Sequence, residues 1–262
     1  MKARELIAEL KHRNHSQVHH ACTLGTFRSY CALGAYRSRA AVRGAGLLLT
    51  PQVSDEDDER LGIFDHLFLN IYDQHADVHR GRSVTGLNKY GPLLMVLDVE
   101  ALSMYAGEVM GYATEITSAA YSSAVHDVVT LEDFRRNTFS DPSPAGTSDA
   151  PSRRKGTPGP NMCVHCKEEN GGIPFAPYLI EVIVDAFPSR LQSLQQKVMV
   201  EVRQLVAEYT PGTKVTQRQC VQGCDCEYGY GTVLSDEDIR RFVYETNTHV
   251  YPRWLRRPRQ RW

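Results

Sequence analysis

Apolar positions recur along this chain at two periods, and the elements they trace follow one another without any repeat. Leu6, Ile7 and Leu10 mark one face of a short helix, and 18–22 alternates as a brief strand. Thr23 is placed to cap a helix carried by Leu24, Phe27 and Cys31, with Gly34 where such a helix stops. A second short helix starts at Ser38 and ends near Gly44, and "GLLLT" (46–50) has the apolar density of a buried strand. Ser54 followed by acids in "SDEDDERLG" suits a helix start, where carboxylates meet the positive end of the dipole. The period of 63–80 is ambiguous.

The later half is clearer. After the turn at Gly91-Pro92, the run 93–97 predicts a central strand. "PYLIEVIVDAF" (177–187) predicts another, and Leu191, Leu194, Val198, Val202, Leu205 and Tyr209 trace one face of a long helix over 189–209. "KVTQRQCV" alternates as a strand, and Ser235 with Asp238 resembles a capping box. Between these halves, 139–160 is rich in Pro, Ser and Gly and reads as a linker or long loop. The mixed order predicts one α+β domain. Its halves are 1–138 and 161–250, interrupted by the 139–160 linker, and a basic aromatic tail follows at 251–262.

Composition narrows the picture. The 262 residues are 42% hydrophobic, enough for a sizeable core, and the formal net charge of −1 gives no global attraction to nucleic acid or membrane. No run of 18 apolar residues exists, so no membrane partner is expected. The charged N-terminal stretch lacks the apolar block of a signal peptide, so the expected location is the cytoplasm. Seven cysteines, an odd number, argue against a complete disulfide framework and for thiols or metal ligands.

Three constellations carry candidate chemistry. Cys163 and Cys166 form a CxxC, and with Cys220 and either Cys224 or Cys226 they could hold a structural zinc ion tetrahedrally. Asp73, His75, Asp77 and His79 place like residues four apart. On a helix each pair would share a face, as a metal-dependent nuclease or phosphohydrolase requires. The tail interleaves five arginines with Tyr251, Trp254 and Trp262, a pattern for phosphate contact and base stacking. Zinc and tail together would also suit a non-enzymatic zinc-stapled nucleic-acid-binding module.

The stretch "VHHACTLGTFRSYCALGAYRSR" (18–39) adds a resemblance. His20, Thr23, Phe27, Ser29, Gly34, Ser38 and Arg39 follow a strand–helix–Gly–Ser-Arg order. That order resembles the front of the DarT-like ADP-ribosyltransferase toxins. Cys22-Thr23 stands where that family has Thr-His, Gly25-Thr26 where it has Asp-Asn, and one residue is inserted before Ser38-Arg39. The resemblance implies a split central β-sheet flanked by helices, and an enzyme that breaks the nicotinamide–ribose bond of NAD. ADP-ribose would pass to a nucleic acid, DNA favoured and RNA possible, in a toxin or antiviral defence effector that an antitoxin protein could oppose. It also implies roles: His20 on a ribose hydroxyl, Thr23 beside it, Arg39 (or else Arg37) on pyrophosphate and Tyr72 stacked on nicotinamide. A strand glutamate, Glu181, would stabilise the cationic transition state. Whether His19 or His20 faces the cleft stays open, because one residue of register exchanges the two faces of a strand.

Overall fold

The apolar runs 93–97 and 179–184 become adjacent strands, neither of them at an edge, of one large sheet. The computed structural model describes residues 1–49, 55–73, 76, 91–105, 107–112, 127–147, 163–187, 191–218, 237 and 243. Its strands are β1 Gln17–Cys22, β2 Ala35–Tyr36, β3 His66–Asn70, β4 Leu93–Asp98, β5 Met110–Tyr112, β6 Asp127–Val128, β7 Cys163–Lys167, β8 Ile173–Pro174, β9 Leu179–Val184 and β10 Lys214–Gln217. Eight of them form one sheet in the order β10-β9-β4-β1-β3-β7-β5-β6, while β2 and β8 pair separately. All neighbours in the large sheet are antiparallel except β9 and β10. The helices are α1 Ala3–His12, α2 Leu24–Leu33, α3 Arg39–Gly44, α4 Asp55–Arg60, α5 Leu131–Thr138 and α6 Gln192–Tyr209. A 3₁₀ segment, Val99–Met104, follows β4, and a single turn, Phe175–Tyr178, precedes β9. The class is therefore α+β, a mixed sheet flanked by helices.

Alternation sorts the sheet residues into two faces. One face carries Val18, Cys22, Leu67, Leu69, Leu93, Met95, Leu97, Val164, Val182 and Val184, all within 3% of full burial. It shares one apolar cluster with Phe27 and Tyr30 of α2, Val198 and Val202 of α6, and Leu6 and Leu10 of α1. Each such side chain contributes about 1.5–3 kcal/mol on burial. The opposite face bears Gln17, His19, Asn70, Asp98, Glu181, Lys214 and Thr216, so the polar chemistry collects there.

Caps act where the sequence places them. Thr23 Oγ1 accepts from the Thr26 amide at 3.2 Å, and Gly34 ends α2 at φ 63°. Ser38 caps α3 in the same way. Gly91 lets the chain pass β1, since a Cβ there would lie 2.2 Å from the Cys22 carbonyl oxygen.

Two expectations change. Residues 46–49 are not a strand: Leu48 is exposed, and its carbonyl accepts from the Ser29 hydroxyl of α2 rather than from a neighbouring strand. The cysteine segment 163–167, to which the sequence pattern assigns no element, is β7, paired along its whole length with β3. At the start of the Pro/Ser/Gly-rich segment, Phe139 is buried. The fully buried Arg13 donates to the carbonyls of Asp141 and Ser143 at 2.8 Å each, so 139–147 belongs to the fold. The Ser235 helix start falls outside the described residues.

Candidate functional site on the polar face of the sheet

The site is built from five strands in register. His19 of β1 lies opposite Val96 of β4, and Val96 lies opposite Glu181 of β9. On its other side His19 lies opposite Asn70 of β3, and Asn70 opposite Cys163 of β7. Residues directly opposite in antiparallel pairs share a face, so these five side chains form one row. Two inter-strand steps put the backbones of His19 and Glu181 about 10 Å apart, with Val96 as the apolar residue between them.

Glu181 is half-buried, with its side chain 18% exposed. Its Oε1 accepts from Thr216 Oγ1 at 2.5 Å and lies 3.4 Å from Lys214 Nζ, both on the parallel strand β10. This places a carboxylate beside a histidine across one valine. Such a pair can grip opposite sides of a sugar and stabilise positive charge developing between them.

His20 takes the other face. It lies opposite Met95, which is fully buried, in the row of Val182. The expected convergence of His20 with Glu181 is thereby corrected: odd and even positions of one strand point apart, and His19 is the histidine on the carboxylate's face. The His20 ring instead fills a parting in the sheet. β1 and β3 are joined in the sheet ladder through the single pair His19–Asn70. Beyond it, the Tyr36 hydroxyl of β2 donates to the Phe68 carbonyl and accepts from the Phe68 amide, both at 2.9 Å, replacing a strand partner. His20 Nδ1 lies 3.0 Å from the same carbonyl, and its ring packs 4.3 Å from that of Tyr36. Burial pushes the Tyr36 phenol well up, so it stays a neutral donor.

The remaining residues named for this role lie elsewhere. Thr23 is buried and serves as the α2 cap. Arg39 pairs with Asp55 at 2.6 Å, and Arg37 Nε bonds Glu168 at 2.5 Å, so both guanidinium groups already meet carboxylates. Tyr72 packs edge-on against His15 at 5.1 Å, and its hydroxyl reaches the Thr138 carbonyl at 3.4 Å. That position is beside α1 and α5 rather than on the His19–Glu181 row.

The metal expectations fare differently. In a strand, residues three apart face opposite sides, and Cys163 lies opposite Asn70 while Cys166 lies opposite Leu67. Cys163 and Cys166 therefore do not fit a shared zinc ion, and among the described residues no cluster of three His, Cys, Asp or Glu groups is arranged for a metal. Cys220, Cys224 and Cys226 lie outside the described residues, as do His75, Asp77, His79 and the tail. Asp73 is described: it caps the Ala76 amide at 3.0 Å and pairs with Arg218 at 2.8 Å. Burial pulls the Arg218 guanidinium down, but Asp73 and Asp185 outweigh it and raise it above its ordinary value.

The sequence did not mark a buried pair on the polar face of the sheet. His66 Nδ1 and His165 Nδ1 meet at 2.8 Å, and the His165 ring stacks on Phe68 at 5.2 Å. Burial, and then its neighbour His66, push His165 down to about 3, and burial also lowers His66. Thr216 and Tyr36 carry no distinctive sequence signal either. Thr216 shows only as one member of an alternating strand, and Tyr36 only as an aromatic after a helix-ending glycine.

No protein-family model matches the chain, and no curated protein matches it. Among solved structures it is similar to DarT of Thermus sp. 2.9. In complex with ADP-ribosylated single-stranded DNA, that protein is 11% identical with a TM-score of 0.46, over 78% of this chain and 95% of that one. In complex with carba-NAD⁺ it is 10% identical with a TM-score of 0.41, and with NAD⁺ 9% identical with a TM-score of 0.40. Each of these two covers 78% of this chain and 96% of the other. No helix among the described residues is long and apolar enough to cross a membrane.

Proposed function

We propose that this chain is an ADP-ribosyltransferase: it cleaves NAD, releases nicotinamide and transfers ADP-ribose to a nucleic acid, DNA first. The observation that carries the reading is the half-buried Glu181 in one row with His19, on the polar face of the sheet. The resemblance of 18–39 to the DarT-like toxins supports it. In this account the bond between nicotinamide nitrogen and ribose C1′ breaks, leaving a sugar with cationic character. Glu181 stabilises that charge and holds the adjacent hydroxyl, while His19 contacts the sugar from the other side. An acceptor nitrogen or oxygen of a base then bonds C1′ and loses its proton to solvent, while nicotinamide has left with the electron pair of the broken bond. Arg39 and Arg37 would serve the pyrophosphate only by exchanging Asp55 and Glu168 for phosphate oxygens, a charge-conserving exchange. A role as a toxin or defence effector, held in check by an antitoxin, follows from the same resemblance.

The test is transfer of label. Protein incubated with NAD labelled in its adenylate and with single-stranded DNA should label the DNA, and Glu181→Ala should not. Label appearing on RNA or protein instead would change the acceptor; equal labelling by Glu181→Ala would remove the carboxylate from the mechanism.

A further inference from the structure

The two oxygens of Glu181 are not equivalent. Oε1 accepts from the Thr216 hydroxyl at 2.5 Å and sits 3.4 Å from Lys214 Nζ, while Oε2 has no hydrogen bond among the described residues. Both donors come from β10, which runs parallel to β9 with Lys214 beside Glu181 and Thr216 beside Ile183. Thr216 is thus two residues further along the strand on the same face, and the carboxylate leans along β9 to reach it. The two donors differ in stiffness. Thr216 is half-buried, and branching at Cβ restricts its χ1. The Lys214 side chain is 69% exposed on a four-carbon stem, so it supplies a screened charge rather than a fixed direction.

We infer that Thr216 is a positioning residue for Glu181: its hydroxyl fixes Oε1 and so presents Oε2 to the sugar hydroxyl of the bound dinucleotide. The inference rests on the reading of Glu181 as the carboxylate of an NAD-cleaving site. Preorganisation of this kind acts on the transition state, where charge develops, more than on ground-state binding. It therefore separates turnover from affinity.

The experiment compares nicotinamide release by the wild type and by Thr216→Val, Thr216→Ser and Glu181→Gln, each at several NAD concentrations. Thr216→Val keeps the shape and removes the donor, and should lower kcat about tenfold with the KM for NAD within about twofold, as loss of one hydrogen bond in the transition state requires. Thr216→Ser keeps the donor and should recover most of the loss. A merely structural threonine would not give a kcat-only defect that serine repairs. Thr216→Val turning over like wild type, or Thr216→Ser as impaired as Thr216→Val, overturns the inference while Glu181→Gln remains inactive. Full turnover by Glu181→Gln, or no nicotinamide release by the wild type, overturns the underlying reading and the inference together.

Discussion

His19 and Glu181 stand in one row of the sheet with Val96 between them, whereas His20, the next residue, belongs to the opposite face and to the parting between β1 and β3. Adjacent histidines thus have separate duties: one is on the carboxylate's face and the other braces the sheet. His19→Ala should raise the KM for NAD by about tenfold, the loss of one good hydrogen bond to ligand. His20→Ala should lower the melting temperature and leave that KM near wild type. The reverse pattern in a paired kinetic and thermal comparison would contradict this assignment.

Tyr36 makes a second measurable demand. Its hydroxyl is the partner of both the amide and the carbonyl of Phe68. Tyr36→Phe leaves the half-buried amide unpaired and should cost about 1–3 kcal/mol in urea unfolding. Hydrogen exchange at the Phe68 amide should speed up while exchange at the β4–β9 ladder keeps its rate relative to global unfolding. An unchanged Phe68 amide would mean that β1 or solvent takes over the hydroxyl's place.

Arg13 is fully buried and pairs with Glu9 at 2.6 Å, lies 4.2 Å from the Phe139 ring centre, and holds the Asp141 and Ser143 carbonyls. Burial pulls the Glu9 carboxyl up, but hydrogen bonds from Arg135 and Arg13 outweigh it and hold it below its ordinary value. Arg13→Met should cost about 3–5 kcal/mol, because it strands part of a buried charge network. It should also open 141–147 to limited proteolysis. A loss under about 1 kcal/mol would show that Arg135 alone satisfies Glu9.

The His66–His165 pair sets an acid limit. Both imidazoles are depressed in the folded chain, His165 to about 3 from 6.5. A base with a lowered folded pKa favours the folded state while it is neutral in both states. That contribution is complete above about pH 6.5. As pH falls below this, the unfolded chain binds protons that the folded chain refuses, so stability declines between about 6.5 and about 3. His165→Phe should flatten this part of the curve of urea midpoint against pH. A curve as steep as wild type would assign the slope to the carboxylates instead.

Cys163 and Cys166 differ in the same way as the two histidines. Cys166 is 1% exposed within the core cluster, and Cys163 is half-buried on the polar face. Cys166→Ser should cost about 1–3 kcal/mol through a buried hydroxyl, and Cys163→Ser less than about 0.5 kcal/mol. Equal losses, with zinc released from both variants, would restore the metal reading.

Much of this fold was legible because its inner strands announce themselves. The runs 93–97 and 179–184 carry enough apolar density to be strands whatever surrounds them, and the caps at Thr23, Gly34 and Ser38 need only local chemistry. The cysteine segment was not legible, since "CVHCK" becomes a strand only through its pairing with β3, a long-range partner with an ambiguous period of its own. The candidate site divides along the same line. Glu181 stands out as an acid within an apolar strand. The choice between His19 and His20 depends on which residue of β4 each one faces, and Tyr36 acts through a parting of two strands that no local pattern encodes.

The most direct test of the account is nicotinamide release from NAD by the purified chain, wild type beside Glu181→Gln, with single-stranded DNA present. The account predicts steady release by the wild type and a loss of at least about a hundredfold in Glu181→Gln, the scale of removing a key transition-state charge. Release at the wild-type rate by Glu181→Gln would contradict it.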